Sequence, residues 1–179
     1  MPILNPDAGD SVPSESERMF EDLIRLWEVD FPGKDSTPIA IALRMQFLHL
    51  VDQQSLQDAL EPFAIGFGEV DVLTRLAQQP PPHRLRPSDL ADLCMVTTGA
   101  ITGRIGRLEK GGHVVRVPSS SDKRILYVEM TANGAELLRR TRRHVAEKSR
   151  FLKGIRALSA SERAQLNTTL TKLTRIFSM

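Results

Sequence analysis

The spacing of apolar residues along the chain predicts a mainly α-helical protein. Ile101, Ile105 and Leu108, for example, recur at intervals of four and three residues, which places them on one face of a helix. Short β-patterned runs occur only near residues 114–130. Helices are predicted at residues 14–28, 39–60, 69–78, 87–93, 97–110 and 132–156, with a further one beginning at the capping box of Ser159 and Glu162.

Residues 85–131 combine the features of a winged helix-turn-helix. A short helix is followed by a tight turn, and Thr97 is a suitable N-cap for the second helix. That helix stops at Gly111, a glycine signal typical of helix C-termini. Two β-patterned runs, at 114–117 and 125–130, then flank a polar and basic loop and form the predicted wing.

The face of the second helix opposite Ile101 is rich in glycine. At about 100° per residue this face carries Gly99, Gly103 and Gly106 together with Lys110. Glycine within a helix lowers the stability of the helix by up to about 1 kcal/mol relative to alanine, so three glycines on one face call for an explanation. One interpretation is that a helix without side chains there can lie close in the major groove of DNA. The other is that they are poor helix residues on a solvent face, and both stay open here.

Composition and charge argue against a membrane-spanning or secreted protein and favour a nucleic-acid binder. No apolar run approaches the roughly 18 residues of a membrane span, and the N-terminus lacks a signal-peptide pattern. The single cysteine fits a reducing cytoplasm, so we expect a cytoplasmic protein without a membrane partner. The net charge is only +2, but eight acidic residues lie among the first 30, which leaves the remainder basic, as in nucleic-acid binders. Residues 1–13 are expected to be a disordered tail.

Helices on both sides of the winged helix-turn-helix have apolar faces suited to dimerisation. Segments 14–60 and 132–179 are expected to pack against the same segments of a second copy, within one domain that spans residues 14–179. A symmetric homodimer presents two recognition helices roughly 34–36 Å apart, which predicts a palindromic site in double-stranded DNA.

Four short stretches of this region form a recognisable pattern: 85–91 (LRPSDLA), 105–112 (IGRLEKGG), 122–124 (DKR) and 131–134 (TANG). They resemble the MarR family of bacterial transcriptional regulators. The resemblance implies that Arg124 at the wing tip enters the minor groove of DNA, held by a salt bridge to Asp122, and a narrow minor groove does attract an inserted arginine. Together with the outer face of the second helix, the expected DNA-binding residues are Thr97, Thr98, Gly99, Thr102, Gly103, Arg107, Lys110, Lys123 and Arg124.

Four further residues match a urate-responsive branch of the family, the PecS/HucR type. That branch places a tryptophan on an added N-terminal helix, an aspartate on the helix before the DNA-binding unit, and two arginines in and just after the recognition helix. The corresponding residues here are Trp27, Asp71, Arg104 and Arg116. The resemblance implies that urate displaces the aspartate by like-charge repulsion and so moves the recognition helix.

The chemistry of these residues suits an anionic purine, although each has an ordinary alternative. Trp27 offers an aromatic wall, and Arg104, which lies near the border of the packed stripe, offers a planar cationic fork. Asp71 sits among apolar residues, so we expect it to be partly buried with a cationic partner. The alternatives are a core or interface tryptophan, a structural salt bridge at Asp71, and phosphate contacts by Arg104 or Arg116.

Three classes of function have to be considered for a sequence with these features. The first is a transcriptional repressor released by urate or a related purine, and the second is a MarR-type regulator of another small molecule such as a phenolic acid or drug. The third, an enzyme, is disfavoured because the sequence has no nucleophile elbow, phosphate loop or paired catalytic carboxylates. The four histidines have no metal-ligand spacing, and neither a metal nor a cofactor is expected.

Overall fold

The computed structural model describes residues 15–120 and 122–178, apart from the side chains of Ser16 and Glu17. The tail predicted at residues 1–13 lies outside this part of the chain. The fold is mainly helical with a small antiparallel sheet, as predicted. The elements are α1 (Glu15–Asp30), α2 (Thr37–Leu60), a 3-10 turn (Glu61–Phe63), α3 (Phe67–Ala77), β1 (Arg84–Leu85), α4 (Pro87–Leu93), α5 (Thr98–Lys110), β2 (Val114–Pro118), β3 (Leu126–Met130), α6 (Ala132–Lys148), α7 (Arg150–Ala157) and α8 (Ala160–Phe177).

The described residues form two compact units, one within Ser55–Ser149 and one that combines residues 15–54 with 150–178. The first unit holds the helix-turn-helix, the sheet and the main hydrophobic core. The predicted stripe of α5 is fully buried in this core, which confirms the inward face of the helix. The buried apolar side chains are Val72, Leu73, Leu76, Leu90, Ile101, Ile105, Leu108, Val114, Val128 and Leu138.

The ends of α5 follow from local hydrogen bonding. The hydroxyl of Thr97 accepts a hydrogen bond from the backbone N–H of Ala100 (3.3 Å), so the predicted N-cap is confirmed. At the other end Gly112 adopts a left-handed φ of 71°. The N–H groups of Gly112 and His113 donate to the carbonyls of Glu109 and Leu108, respectively, which completes a Schellman C-cap.

The wing belongs to a three-stranded sheet, whereas the sequence predicted two strands. The strand order is β1-β3-β2, all antiparallel, with Arg84 opposite Glu129 and Val117 opposite Tyr127. Strand β1 is only two residues long, too short for an alternating pattern, so only its pairing with β3 defines it. It anchors the wing beside α4, which begins two residues later.

The single helix predicted at 132–156 is wrong, because the chain breaks at Ser149 and continues as α7. Ser149 has an extended ψ of 122°, and neither proline nor glycine marks the break. Its buried hydroxyl lies 3.0 Å from the hydroxyl of Ser55. This hydrogen bond between residues distant in sequence is the tertiary feature that accompanies the break.

The second unit contains α1, the first part of α2, α7 and α8. The rings of Phe20 and Phe47 meet edge to face with centroids 5.2 Å apart. The predicted capping box of Ser159 and Glu162 is present at the start of α8. Within residues 15–120 and 122–178, no helix has both the length and the hydropathy needed to cross a membrane. Large apolar side chains are exposed on this unit, among them Met19, Leu23, Leu26, Val29, Ile41, Met45, Leu48, Leu166, Leu170 and Phe177.

Candidate functional site

The outer face of α5 is open. A Cβ built at Gly99 or Gly106 would meet nothing within 4 Å, and one at Gly103 would meet only Nη1 of Arg107, at 3.6 Å. Thr97, Thr98, Thr102 and Lys110 are exposed on the same helix or at its cap. The hydroxyl of Thr102 donates to the carbonyl of Thr98 (2.8 Å), and its acceptor lone pairs stay available.

Arg107, a predicted DNA contact, is tied to the neighbouring helix. Its Nε and Nη2 lie 2.6 and 2.5 Å from Oε1 of Glu69, in the first turn of α3. The Glu69 side chain is 9% exposed, while that of Arg107 is still 67% exposed. The arginine therefore neutralises a buried carboxylate and yet faces solvent.

The tip of the wing is organised by its main chain. The carboxylate of Asp122 accepts a hydrogen bond from the backbone N–H of Arg124 (2.9 Å), which is an Asx turn. The predicted salt bridge between the two side chains is not among the ion pairs of the described residues, where the carboxylate of Asp122 caps the turn. Lys123 and Arg124 are both exposed, so the tip presents two cations.

Asp71 lies on α3, and its side chain is 16% exposed, so the expected partial burial is confirmed. Its cationic partner is Arg75, one helical turn later, whose Nε stands 3.2 Å from Oδ1. The thiol of Cys94 is beside the same carboxylate. Burial, followed by the negative charge and hydrogen bond of Asp71, raises the pKa of that thiol to about 11.

Arg104 reaches inward from α5 to α3, as its position in the sequence predicted. Its Nε and Cζ lie 2.5 and 2.6 Å from the place where a Cβ of Gly68 would stand. The side chain is half-buried, and its charge lowers the pKa of the Cys94 thiol, against the larger effects that raise it. Asp71, Arg75 and Arg104 all act electrostatically on the thiol of Cys94, the C-cap residue of α4.

The other two predicted ligand residues have different surroundings. Arg116, on β2, forms an ion pair with Glu109 near the end of α5 (Nε to Oε2, 3.1 Å). Trp27 belongs to the other unit, where its half-buried ring packs beside Phe31 with centroids 5.1 Å apart. Of the four predicted ligand residues, Asp71 belongs to α3 and Arg104 reaches the first turn of the same helix from α5.

Sequence reasoning missed several charged residues of this unit. Arg75 had a detectable signal, since it follows Asp71 at the i, i+4 spacing. The pairing of Glu69 with Arg107 has none, because the residues are 38 positions apart. On the sheet, the guanidinium groups of Arg84 and Arg86 lie 4.9 and 5.8 Å from the ring centre of Tyr127, which adds a basic, aromatic surface near the wing.

Known proteins are similar to this chain both in sequence and in fold. The MarR family model matches residues 65–125. The transcriptional regulator PecS of Dickeya dadantii is 23% identical over 152 residues, which cover 85% of this chain and 90% of PecS. The crystal structure of Sco3205, a MarR family transcriptional regulator from Streptomyces coelicolor in complex with DNA, is 25% identical with a TM-score of 0.68 over 81% of this chain and 91% of that one. A mutant MarR from E. coli, complexed with operator DNA, gives 25% identity and a TM-score of 0.63 over 78% and 99%.

Fold, site and relatives define a winged helix-turn-helix transcriptional regulator rather than an enzyme. Residues 65–125 match the MarR family, and the chain is similar to PecS along most of its length, which supports a MarR regulator of the PecS type. This is the family expected from the sequence.

Proposed function

We propose that this protein is a homodimeric repressor that binds palindromic DNA and is released from it by urate or a related purine. We expect it to act in the cytoplasm, where its operator DNA would lie. DNA binding is supported by the two DNA-bound relatives and by the open glycine face of α5. A recognition helix without side chains on its outer face can approach the base edges of the major groove closely.

The wing supports the same proposal. The Asx turn at Asp122 fixes the backbone of Arg124 and leaves its guanidinium exposed, as an arginine that enters the minor groove requires. Lys123 adds a second cation for the phosphate backbone. Contacts to phosphate supply affinity, while contacts from α5 supply sequence preference.

Homodimerisation is supported by the apolar side chains that the second unit exposes. Met19, Leu23 and Leu26 on α1, and Leu166 and Leu170 on α8, each leave about 40% or more of their surface accessible. Exposed apolar residues gathered on terminal helices are typical of surfaces that a second subunit covers.

The effector proposal rests on Asp71 and Arg104. Asp71 lies on α3 and Arg104 reaches α3 from α5, and the buried Nε of Arg75 faces Oδ1 of Asp71 at 3.2 Å. An anionic purine offers carbonyl oxygens to the arginine donors, and its negative charge repels Asp71. Because Arg104 is part of α5, its movement toward a ligand acts directly on the DNA-reading helix. The resemblance to the urate-responsive branch assigns Trp27 and Arg116 to the same ligand.

The experiment that tests the ligand is a fluorescence titration, since Trp27 is the chain's only tryptophan. Urate should quench its emission saturably and salicylate should not, while Trp27→Phe supplies the blank. Quenching by salicylate alone would favour the second candidate, a regulator of a phenolic acid. Sedimentation equilibrium on the same sample tests the dimer, and a monomer at micromolar concentration would contradict it.

A further inference from the structure

The ion pair between Glu69 and Arg107 has no part in the proposed effector switch. One carboxylate oxygen of Glu69 receives both Nε–H and an Nη2–H of Arg107, at 2.6 and 2.5 Å. The carboxylate comes from the buried side of α3, whereas the arginine comes from the exposed face of α5. The pair therefore links the core of the unit to the surface that faces DNA in our proposal.

Gly66 makes room for the carboxylate of Glu69 at the start of α3. The second oxygen of that carboxylate, Oε2, lies 2.7 Å from the position that a Cβ of Gly66 would occupy. A buried carboxylate is costly unless it is paired, and among the described residues Arg107 is its ion-pair partner. The burial of Glu69 thus fixes one edge of the Arg107 guanidinium.

The opposite edge of the guanidinium remains available. Arginine carries five N–H donors, and the pair with Glu69 engages only those along the Nε and Nη2 edge. Nη1 lies 3.6 Å from the Cβ position of Gly103, beside the open surface of α5. The exposed N–H groups on the two Nη atoms form a second fork, the arrangement that matches O6 and N7 of guanine in the major groove.

We propose that Glu69 is a positioning residue that orients Arg107 to read a guanine in the operator. The inference rests on the proposed DNA-binding function and adds a specificity determinant to it. An arginine already held in one orientation loses less conformational freedom on binding, so the correct base gains more than a wrong one. A carboxylate that merely sequestered the arginine would leave it covered, but 67% of the Arg107 side chain is exposed in the pair.

The test compares Glu69→Gln with wild type on two duplexes, one selected from a random library by the wild-type protein and one with the same bases shuffled. Affinity for the selected duplex should fall about five- to tenfold, and affinity for the shuffled duplex should change little. In the Arg107→Ala background, Glu69→Gln should cause no further loss. Glu136→Gln, which breaks an exposed ion pair with Arg139, is the matched control and should leave both affinities unchanged.

Arg107→Lys keeps the positive charge but lacks the forked N–H groups of the guanidinium. It provides a second test of the inference if Glu69→Gln does not fold. It should lose preference for the selected duplex while the salt dependence of binding is retained. Tighter binding by Glu69→Gln, equal losses on both duplexes, or additive losses in the double variant would overturn the inference. Failure of the wild-type protein to select any duplex would instead overturn the proposed DNA binding, so the two failures are distinguishable.

Discussion

The guanidinium of Arg104 lies directly across Gly68, with Nε only 2.5 Å from the place of a Cβ at that residue. The first turn of α3 therefore has a gap that an arginine of α5 fills. Asp71 follows one turn later on α3 and is beside Cys94 of the helix-turn-helix. A ligand that binds Arg104 would act on a contact that joins α3 to the proposed DNA-reading helix.

Gly68→Ala tests whether this gap matters for the effector. The added methyl group should push the flexible Arg104 side chain aside, so urate should quench Trp27 at roughly tenfold higher concentration, equivalent to about 1.4 kcal/mol. Thermal unfolding should change little, since only the end of a long side chain must move. An unchanged quenching curve would remove Arg104 from the ligand site.

Gly106→Ala separates the two explanations of the glycine face. A Cβ at this residue meets nothing within 4 Å, so the variant should gain up to about 1 kcal/mol of unfolding free energy from helix propensity. If α5 approaches DNA closely, the same methyl group should weaken binding to the selected duplex by roughly tenfold. Denaturant titration and fluorescence anisotropy measure the two effects.

The matched control for Gly106→Ala is Gly154→Ala on α7, which is equally open. It should give a similar gain in stability with no loss of DNA affinity. Unchanged DNA affinity in both variants would mean that the glycines of α5 are ordinary solvent-facing residues.

Arg124→Ala should weaken DNA binding and leave urate binding nearly intact, because the wing tip carries the cation but none of the proposed ligand contacts. Asp122 still caps the backbone of the turn in this variant, so the wing should keep its shape. Anisotropy on DNA and Trp27 quenching by urate, measured on the same preparation, check the prediction. Equal losses in both assays would contradict the assignment.

The pKa of the Cys94 thiol depends on the charge of Asp71. This pKa is raised to about 11 from 9.0, so the folded state holds the thiol proton more tightly than the unfolded chain does. The stabilisation is fully present below pH 9.0 and is lost as the pH rises toward about 11.

Asp71→Asn removes a negative charge beside the thiol of Cys94 and should lower the pKa of that thiol. Alkylation of this single cysteine by iodoacetamide should then be faster at each pH between about 7 and 10. An unchanged rate profile would show that the carboxylate does not act on the thiol.

Gly134→Ala should destabilise the fold. A Cβ at this buried residue would overlap the carbonyl oxygen of His113, so α6 would have to move away from the base of the wing. Overpacking of this kind costs roughly 1–3 kcal/mol. The midpoint of urea unfolding should fall accordingly, in contrast to the rise expected for Gly154→Ala, and an unchanged midpoint would contradict the close approach.

Local signals predicted the parts of the fold that local chemistry determines. The cap of Thr97, the glycine stop after Lys110 and the buried stripe of Ile101 follow from helix geometry alone. Strand β1 and the break at Ser149 could not be predicted, because a partner strand and a buried hydroxyl distant in sequence accompany them. At the candidate site, the inward reach of Arg104 was predictable from helical phase. The pairing of Glu69 with Arg107 depends on how α3 and α5 pack and was not.

The measurement that tests the central claim most directly is a gel-shift titration of the protein on DNA from upstream of its own gene, with and without urate. We predict a specific protein–DNA complex that urate dissociates and salicylate does not. In Asp71→Asn, urate should release less DNA although the affinity for DNA is kept. A coupling of roughly 1–3 kcal/mol between ligand and DNA is sufficient for that release. A complex that persists at saturating urate would contradict the proposed effector, and the absence of any specific complex would contradict operator binding at this site.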